Sequence, residues 1–170
     1  GTMQKYADRG NHLITCVTEH KAILDTAKHL ESLGKKVTYL PVNELGEIDL
    51  KELEDSITDD TVMISIMIAN NEIGTIHDAK AIGEIAHRHD VIFHTDAAQA
   101  VGHIPVNVEE MSIDLMSFSA HKMYGPKGIG ALYVRGVKPR VKPDGLFYGG
   151  GQERNIRSGT LNVPGIVGFG

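Results

Sequence analysis

Cys16 is the only cysteine in a chain of 170 residues. A lone cysteine excludes an internal disulfide framework and a multi-cysteine zinc site, and it suits a reducing compartment. A basic surplus is missing too: 17 Lys and Arg stand against 22 Asp and Glu, a formal net charge of −5. Proteins that grip nucleic acid by its phosphates carry the opposite balance, so that partner class drops out. No apolar run approaches the roughly 20 residues that cross a bilayer, and no signal-peptide core precedes the first strand. Membranes therefore drop out as partners, and the reading is of a cytoplasmic protein. With 19 glycines and 6 prolines in no period, the chain is neither collagenous nor of low complexity. What is present is 41% hydrophobic, enough for the core of one ordinary domain.

Hydrophobic periodicity gives the elements. A strand is read at 12–15, then a helix over 19–33 with Ile23, Ala27 and Leu30 on one stripe. Thr18 is the expected N-cap of that helix and Gly34 its C′ residue. A strand at 36–40, a turn-rich loop at 41–47 and a short helix at 49–57 follow. Residues 61–69 form a nearly continuous apolar run, the mark of a strand buried on both faces. A helix at 78–88 and strands at 91–95, 115–119 and 130–134 complete the series. Strand and helix alternating at this spacing predict an α/β fold with a mostly parallel sheet and flanking helices. Only about ten residues separate Ser119 from Gly130, too few for a right-handed crossover, so the strand near 130–134 is expected to run antiparallel. The chain closes on the apolar Val163-Pro-Gly-Ile-Val-Gly-Phe-Gly170 stretch, and the expectation is a segment of something longer.

In such sheets ligands bind beyond the C-terminal ends of the strands. Those ends carry Thr18-Glu19-His20, Asn70-Asn71, Asp96 with Gln99, and Ser119 with His121 and Lys122. A cap or a turn would explain each residue alone, but not so many polar groups at one end of neighbouring strands. A lysine in a partly desolvated pocket is a Schiff-base nucleophile. Pyridoxal phosphate (PLP) needs such a lysine, an acid for its pyridine nitrogen and donors for its phosphate. Lys122, Asp96, and Ser119 with His121 supply that set.

Five stretches then match one family in order and in register. Thr18-Glu-His-Lys-Ala22, Asn70-Asn-Glu-Ile-Gly74, His94-Thr-Asp-Ala-Ala-Gln-Ala-Val-Gly102, Ser117-Phe-Ser-Ala-His-Lys-Met-Tyr-Gly-Pro-Lys-Gly-Ile-Gly130 and Arg157-Ser-Gly-Thr-Leu161 resemble the cysteine desulfurases. These are PLP enzymes of the class V aminotransferase group with the fold type I large domain, and the match looks closest to their iron–sulfur housekeeping branch. The resemblance implies that Lys122 carries PLP covalently and later moves protons, and that His20 stacks on the pyridine ring and assists proton transfer. It implies that Asp96 pairs with the pyridine nitrogen, Asn71 and Gln99 with the phenolic oxygen, and Ser119 and His121 with the phosphate. Thr160 would reach the phosphate of a second subunit, which implies a homodimer. The implied reaction converts L-cysteine to L-alanine and passes sulfur, as an enzyme persulfide, to an iron–sulfur scaffold or another sulfur-acceptor protein.

The family's sulfur-carrying cysteine, its arginine for the substrate carboxylate and its N-terminal phosphate loop have no counterpart in these residues. Cys16, inside the first strand, is expected to be a buried structural residue. The resemblance thus implies a segment of the PLP-binding large domain, without the N-terminal segment and the C-terminal small domain, and inactive by itself. A folded or dimerising fragment without catalysis, or a related PLP enzyme such as a selenocysteine lyase or an aminotransferase, are the alternatives. A metal site at His87 and His89 with His94 is not expected: His87 and His89 point to different sides of a helix end, where the helix dipole favours histidine. A hydrolase triad of Ser119, His121 and Asp96 lacks the Gly-x-Ser-x-Gly elbow. The 125–130 glycine stretch lacks the order and context of a nucleotide loop.

Overall fold

The apolar runs and the amphipathic segments between them assemble into one six-stranded sheet with helices on its faces. A computed structural model describes residues 1–138 and 140–170. The strands are β1 (His12–Cys16), β2 (Lys36–Leu40), β3 (Thr61–Ser65), β4 (Ile92–Asp96), β5 (Leu115–Ser119) and β6 (Gly130–Val134). Their order is β2-β1-β3-β4-β5-β6. The first five are parallel, and β6 returns antiparallel to β5 with Ser119 opposite Gly130, as the short connection requires. Helices α1 (Thr2–Lys5), α2 (Lys21–Ser32), α3 (Leu50–Asp55), α4 (Ala79–Arg88) and α5 (Val163–Phe169) make up the rest.

Strand alternation divides the core between two faces. Leu13 and Val62 meet Ala27 of α2 on one face, with Leu30, Val37 and Tyr39 alongside. Ile14, Cys16, Ile64 and Phe93 meet Leu53 of α3 and Ile82, Ile85 and Ala86 of α4 on the other. The chain steps outward from β1 to β2 and then back across β1 to β3, so the direction of winding reverses between β1 and β3. That reversal sends α2 to one face and α3 and α4 to the other, and it opens a crevice at the strand ends.

The main departures from the sequence reading are at the start of α2 and the end of β3. Helix α2 begins at Lys21 and its N-cap is His20, not Thr18: the Ala22 N–H donates to His20 Nδ1 at 3.1 Å. Thr18 instead faces Cys16 Sγ at 3.4 Å within a turn that must be finished before the helix can start. The helix closes as expected: Gly34, at φ +81°, donates its N–H to Glu31, while Lys35 donates to Leu30. Strand β3 keeps its β1 partners only as far as Ile64 and its β4 partners as far as Ser65; Ile66 and Ile68 go on donating to the β4 carbonyls of His94 and Asp96. The apolar tail forms α5, whose Phe169 meets Phe118 edge-on.

A buried ionic cluster ties the opposite, N-terminal end of the sheet together. Arg135 is 4% exposed and Asp114 1% exposed; their Nε and Oδ1 lie 3.0 Å apart. Asp114 also accepts from the Phe93 N–H at 2.9 Å and from His87 Nε2 at 3.1 Å. Arg135 donates from Nε and Nη2 to the Ile113 carbonyl, from Nη2 to the Val108 carbonyl and from Nη1 to Glu109. His89, with Arg88, donates to Glu54. His87 and His89 are thus engaged with carboxylates.

Candidate active site

Four strand ends deliver side chains to one open cleft of about 410 Å³ on the α2 face of the sheet. His20 comes from the turn after β1, and Asn71 from the segment after β3. Asp96 closes β4, with Gln99 just beyond it. Ser119 closes β5, and His121 and Lys122 stand on the single 3₁₀ turn that follows. Period-two alternation selects these residues: Phe93 and Thr95 of β4 are buried, whereas His94 and Asp96 point to the cleft side.

Each group is held by its neighbours. The Ala98 N–H donates to Asp96 Oδ1 at 2.9 Å, which leaves Oδ2 without a protein partner among the described residues. The cap bond fixes His20 with Nδ1 as acceptor, so the neutral ring carries its proton on Nε2. The Lys122 turn is pinned from behind by His103, whose Nε2–H donates to the Lys122 carbonyl at 2.8 Å. Gly125 lets the chain double back, because a Cβ there would lie 3.0 Å from both the Cβ and the carbonyl oxygen of Ala120. Lys122 and His121 are exposed, which differs from the partly desolvated setting expected for the lysine. A one-turn 3₁₀ segment at the rim of an open cleft buries little of a long side chain.

Below the rim the environment is dry. His94 meets Ser65 Oγ at 2.8 Å, and burial pushes its imidazole down to about 4 against the pull of the Asp96 carboxylate. Glu19 is buried, and desolvation, with the Asp96 charge adding to it, pushes its carboxyl up to about 8. Cys16 is fully buried, as expected; burial and then Glu19 push its thiol up to about 11.

Of the eight residues singled out from the sequence, seven line this cleft: His20, Asn71, Asp96, Gln99, Ser119, His121 and Lys122. Thr160 does not. It is exposed on the segment before α5, where Arg157 donates to its carbonyl. Sequence reasoning gave no role to three supports of the cleft, namely Glu19 and Asn70, noted only as part of the strand-end motifs, and His103. The first two sit beside His20 and Asn71 in the chain, and their neighbours' outward placement is the signal that would have turned them inward.

The residues fit a bound pyridoxal phosphate by the chemistry of the donors. Asp96 keeps a free acceptor for a pyridinium N–H, Lys122 offers an amine, and the Ser119 hydroxyl makes no cap bond that would occupy it. The Aminotransferase class-V family model matches residues 1–170. Cysteine desulfurase IscS of Histophilus somni (strain 2336) is 58% identical over 170 residues, all of this chain and 42% of that protein. Cysteine desulfurase IscS of Rickettsia massiliae (strain Mtu5) is 54% identical over the same span, 41% of its length. The chain therefore spans less than half the length of the curated relatives it matches. Among solved structures, "SspA in complex with cysteine" superposes with a TM-score of 0.94 at 45% identity, over 99% of this chain and 48% of that one. A "NifS-like protein" superposes with a TM-score of 0.93 at 45% identity, over 99% of this chain and 46% of that one.

Proposed function

Since the chain belongs to the class-V aminotransferase family, we propose that it is the cofactor-binding segment of a PLP-dependent cysteine desulfurase. The observation that carries this reading is the convergence of His20, Asn71, Asp96, Gln99, Ser119, His121 and Lys122 on one cleft from four strand ends. In domain terms the 170 residues are part of the PLP-binding large domain, and the share of the relatives that they cover supports this.

Bound PLP supplies an electron sink for the carbanion that forms at the substrate's Cα. Lys122 Nζ would hold the cofactor covalently, and its amine would move protons at the reacting carbon. Asp96 Oδ2, left free by the Ala98 N–H bond to Oδ1, would accept the pyridinium N–H. Asn71 and Gln99 would hold the phenolic oxygen, and Ser119 Oγ and His121 the phosphate. His20, oriented by its cap bond, would stack on the ring and offer Nε2–H as a proton donor.

The substrate in this reading is L-cysteine, and the solved neighbour described as a complex with cysteine supports that choice. The products are L-alanine and a persulfide on an acceptor thiol, for onward transfer to an iron–sulfur scaffold or another acceptor protein. Cys16 is not that thiol, because it is buried and holds its proton to about 11. The exposed Thr160 reaches the phosphate of a second subunit, which makes the working unit a homodimer with shared sites. The lone thiol agrees with a cytoplasmic setting; in the chain itself, no helix among the described residues is long and apolar enough to cross a membrane.

Mixing the purified chain with PLP tests the reading. The expected result is a visible absorption band that borohydride fixes as a reduced adduct on Lys122, located by peptide mass spectrometry and absent in Lys122→Ala. A folded protein with no band overturns it in favour of a non-catalytic fragment. No alanine should be released from cysteine by the 170 residues alone.

A further inference from the structure

Strand pairing leaves one backbone donor to be satisfied just beneath the cleft. After Ser65 the β3 chain runs on toward Asn71, and Ile66 and Ile68 donate to β4. Met67 lies between them, and its N–H points the other way, to where β1 would continue. But β1 ends at Cys16 and the chain turns through Thr18 and Glu19 into α2. The Glu19 carboxyl fills the missing strand's place: its Oε1 accepts the Met67 N–H at 2.5 Å, and the Cys16 thiol donates to the same oxygen at 3.6 Å. Asn70 braces the turn a second time, its Nδ2–H donating to the Thr18 carbonyl at 2.8 Å. Glu19 is 5% exposed, and its other oxygen, Oε2, has no hydrogen-bond partner among the described residues.

We propose that Glu19 is a positioning residue of the cofactor cleft: its buried carboxyl fastens the turn that carries His20 to the strand-end segment that carries Asn71. The inference rests on the reading of the cleft as a PLP site. The charged and titratable groups facing Glu19 are Asp96, at the end of β4, and the Cys16 thiol. A carboxyl buried beside an anion, with one oxygen unpartnered, keeps its proton at neutral pH, and burial raises its ionisation accordingly. The proton also serves the site. Asp96 is the one acidic residue lining the cleft, and a second anion beneath it would compete for the pyridinium.

Three variants of the chain separate this role from bulk support. Glu19→Gln keeps an uncharged group with an acceptor for Met67; Glu19→Met fills the space without one; Glu19→Ala removes both. Amide hydrogen exchange reads the fastening without any cofactor. Loss of the acceptor should speed exchange of the Met67 amide and of the turn by about tenfold in Glu19→Met, and Glu19→Gln should stay near wild type. PLP titration by the visible band reads the consequence: Kd about tenfold weaker in Glu19→Met, restored in Glu19→Gln. A merely structural role would lower the Tm of Glu19→Met and leave Kd unmoved. Unchanged exchange at Met67 in folded Glu19→Met or Glu19→Ala overturns the inference, as does unchanged Kd. If wild type gives no band, the cofactor reading fails, and with it the positioning role, whatever exchange shows.

Discussion

Replacing Glu19 by Gln should change how the stability of the chain depends on pH, and the sign follows from burial. In the unfolded chain this carboxyl ionises near 4.5; in the folded chain it keeps its proton to about 8. Between those values the native state binds one proton more than the unfolded state, so unfolding free energy falls as pH rises, by about 1.4 kcal/mol per pH unit. Below 4.5 this loss is absent, and above about 8 it is complete. His12, His77 and His94 act in the opposite sense, because burial depresses each below 6.5 and they destabilise the fold as pH falls beneath that value. Cys16 acts only above 9, its ordinary value. The interval from pH 6.5 to 8 therefore belongs mainly to Glu19, and only the Gly1 amine, lowered from 8.0 by burial, runs against it there. Subtracting wild type from Glu19→Gln cancels every group except Glu19. That difference should grow in favour of the variant by about 2 kcal/mol across the interval, the slope taken over one and a half pH units. Urea unfolding followed by far-UV circular dichroism measures it, since the chain has no tryptophan to report by fluorescence. A difference that stays constant with pH, at unchanged m-value, would refute the reasoning. Glu19 would then be ionised in the fold.

Three further outcomes concern the scaffold. Asp114→Ala takes the buried counter-charge from Arg135, 4% exposed, which keeps Glu109, and leaves the Phe93 N–H without its acceptor; it should lower stability by about 3 kcal/mol in denaturant titrations. A loss under about 1 kcal/mol would mean that the cluster relaxes to water. Phe93→Ala empties a fully buried site between β4 and the α3–α4 layer and should cost about 3–5 kcal/mol by the same assay. Gly34→Ala should cost about 1 kcal/mol by conformation alone, because φ is +81° and a Cβ there meets no atom within 4 Å. A neutral result would show that the end of α2 can close without the left-handed residue.

The architecture was legible where burial and turn chemistry speak with one voice. Strands 36–40 and 130–134 occupy their expected residues, and the reversal into β6 followed from connection length alone. The N-terminus of α2 was misread because Thr18 is the better capping residue by type, and only the fold shows that the turn places a histidine at the cap. The end of β3 was misread for a related reason. An apolar run says that a segment is buried, but not where its neighbour stops pairing with it. In the cleft, chain order revealed the outward-facing His20, Asn71, Asp96 and Lys122, each in a motif of polar residues. It hid Glu19 and Asn70, which sit next to two of them and work inward. Lys122 was expected in a dry setting and stands exposed at the rim, since the sequence tells what precedes a residue and not how much protein lies over it.

The cleft and the core are two sides of the same strands, and neither could be set without the other. In β4, Phe93 and Thr95 are buried toward α4, and that placement alone turns His94 and Asp96 to the α2 face. A one-residue slip would bury the Asp96 carboxylate in an apolar layer and expose Phe93, so the hydrophobic register fixes the acid at the cleft. At the other end, Asp114 accepts the Phe93 N–H and grips Arg135 just beyond β6, which locks the register of β4 against β5 and β6 from below. The ionic cluster at the bottom of the sheet and the polar cleft at its top are therefore coupled through strand register over the length of β4. A substitution that loosens Asp114 should be felt first as a misplaced Asp96.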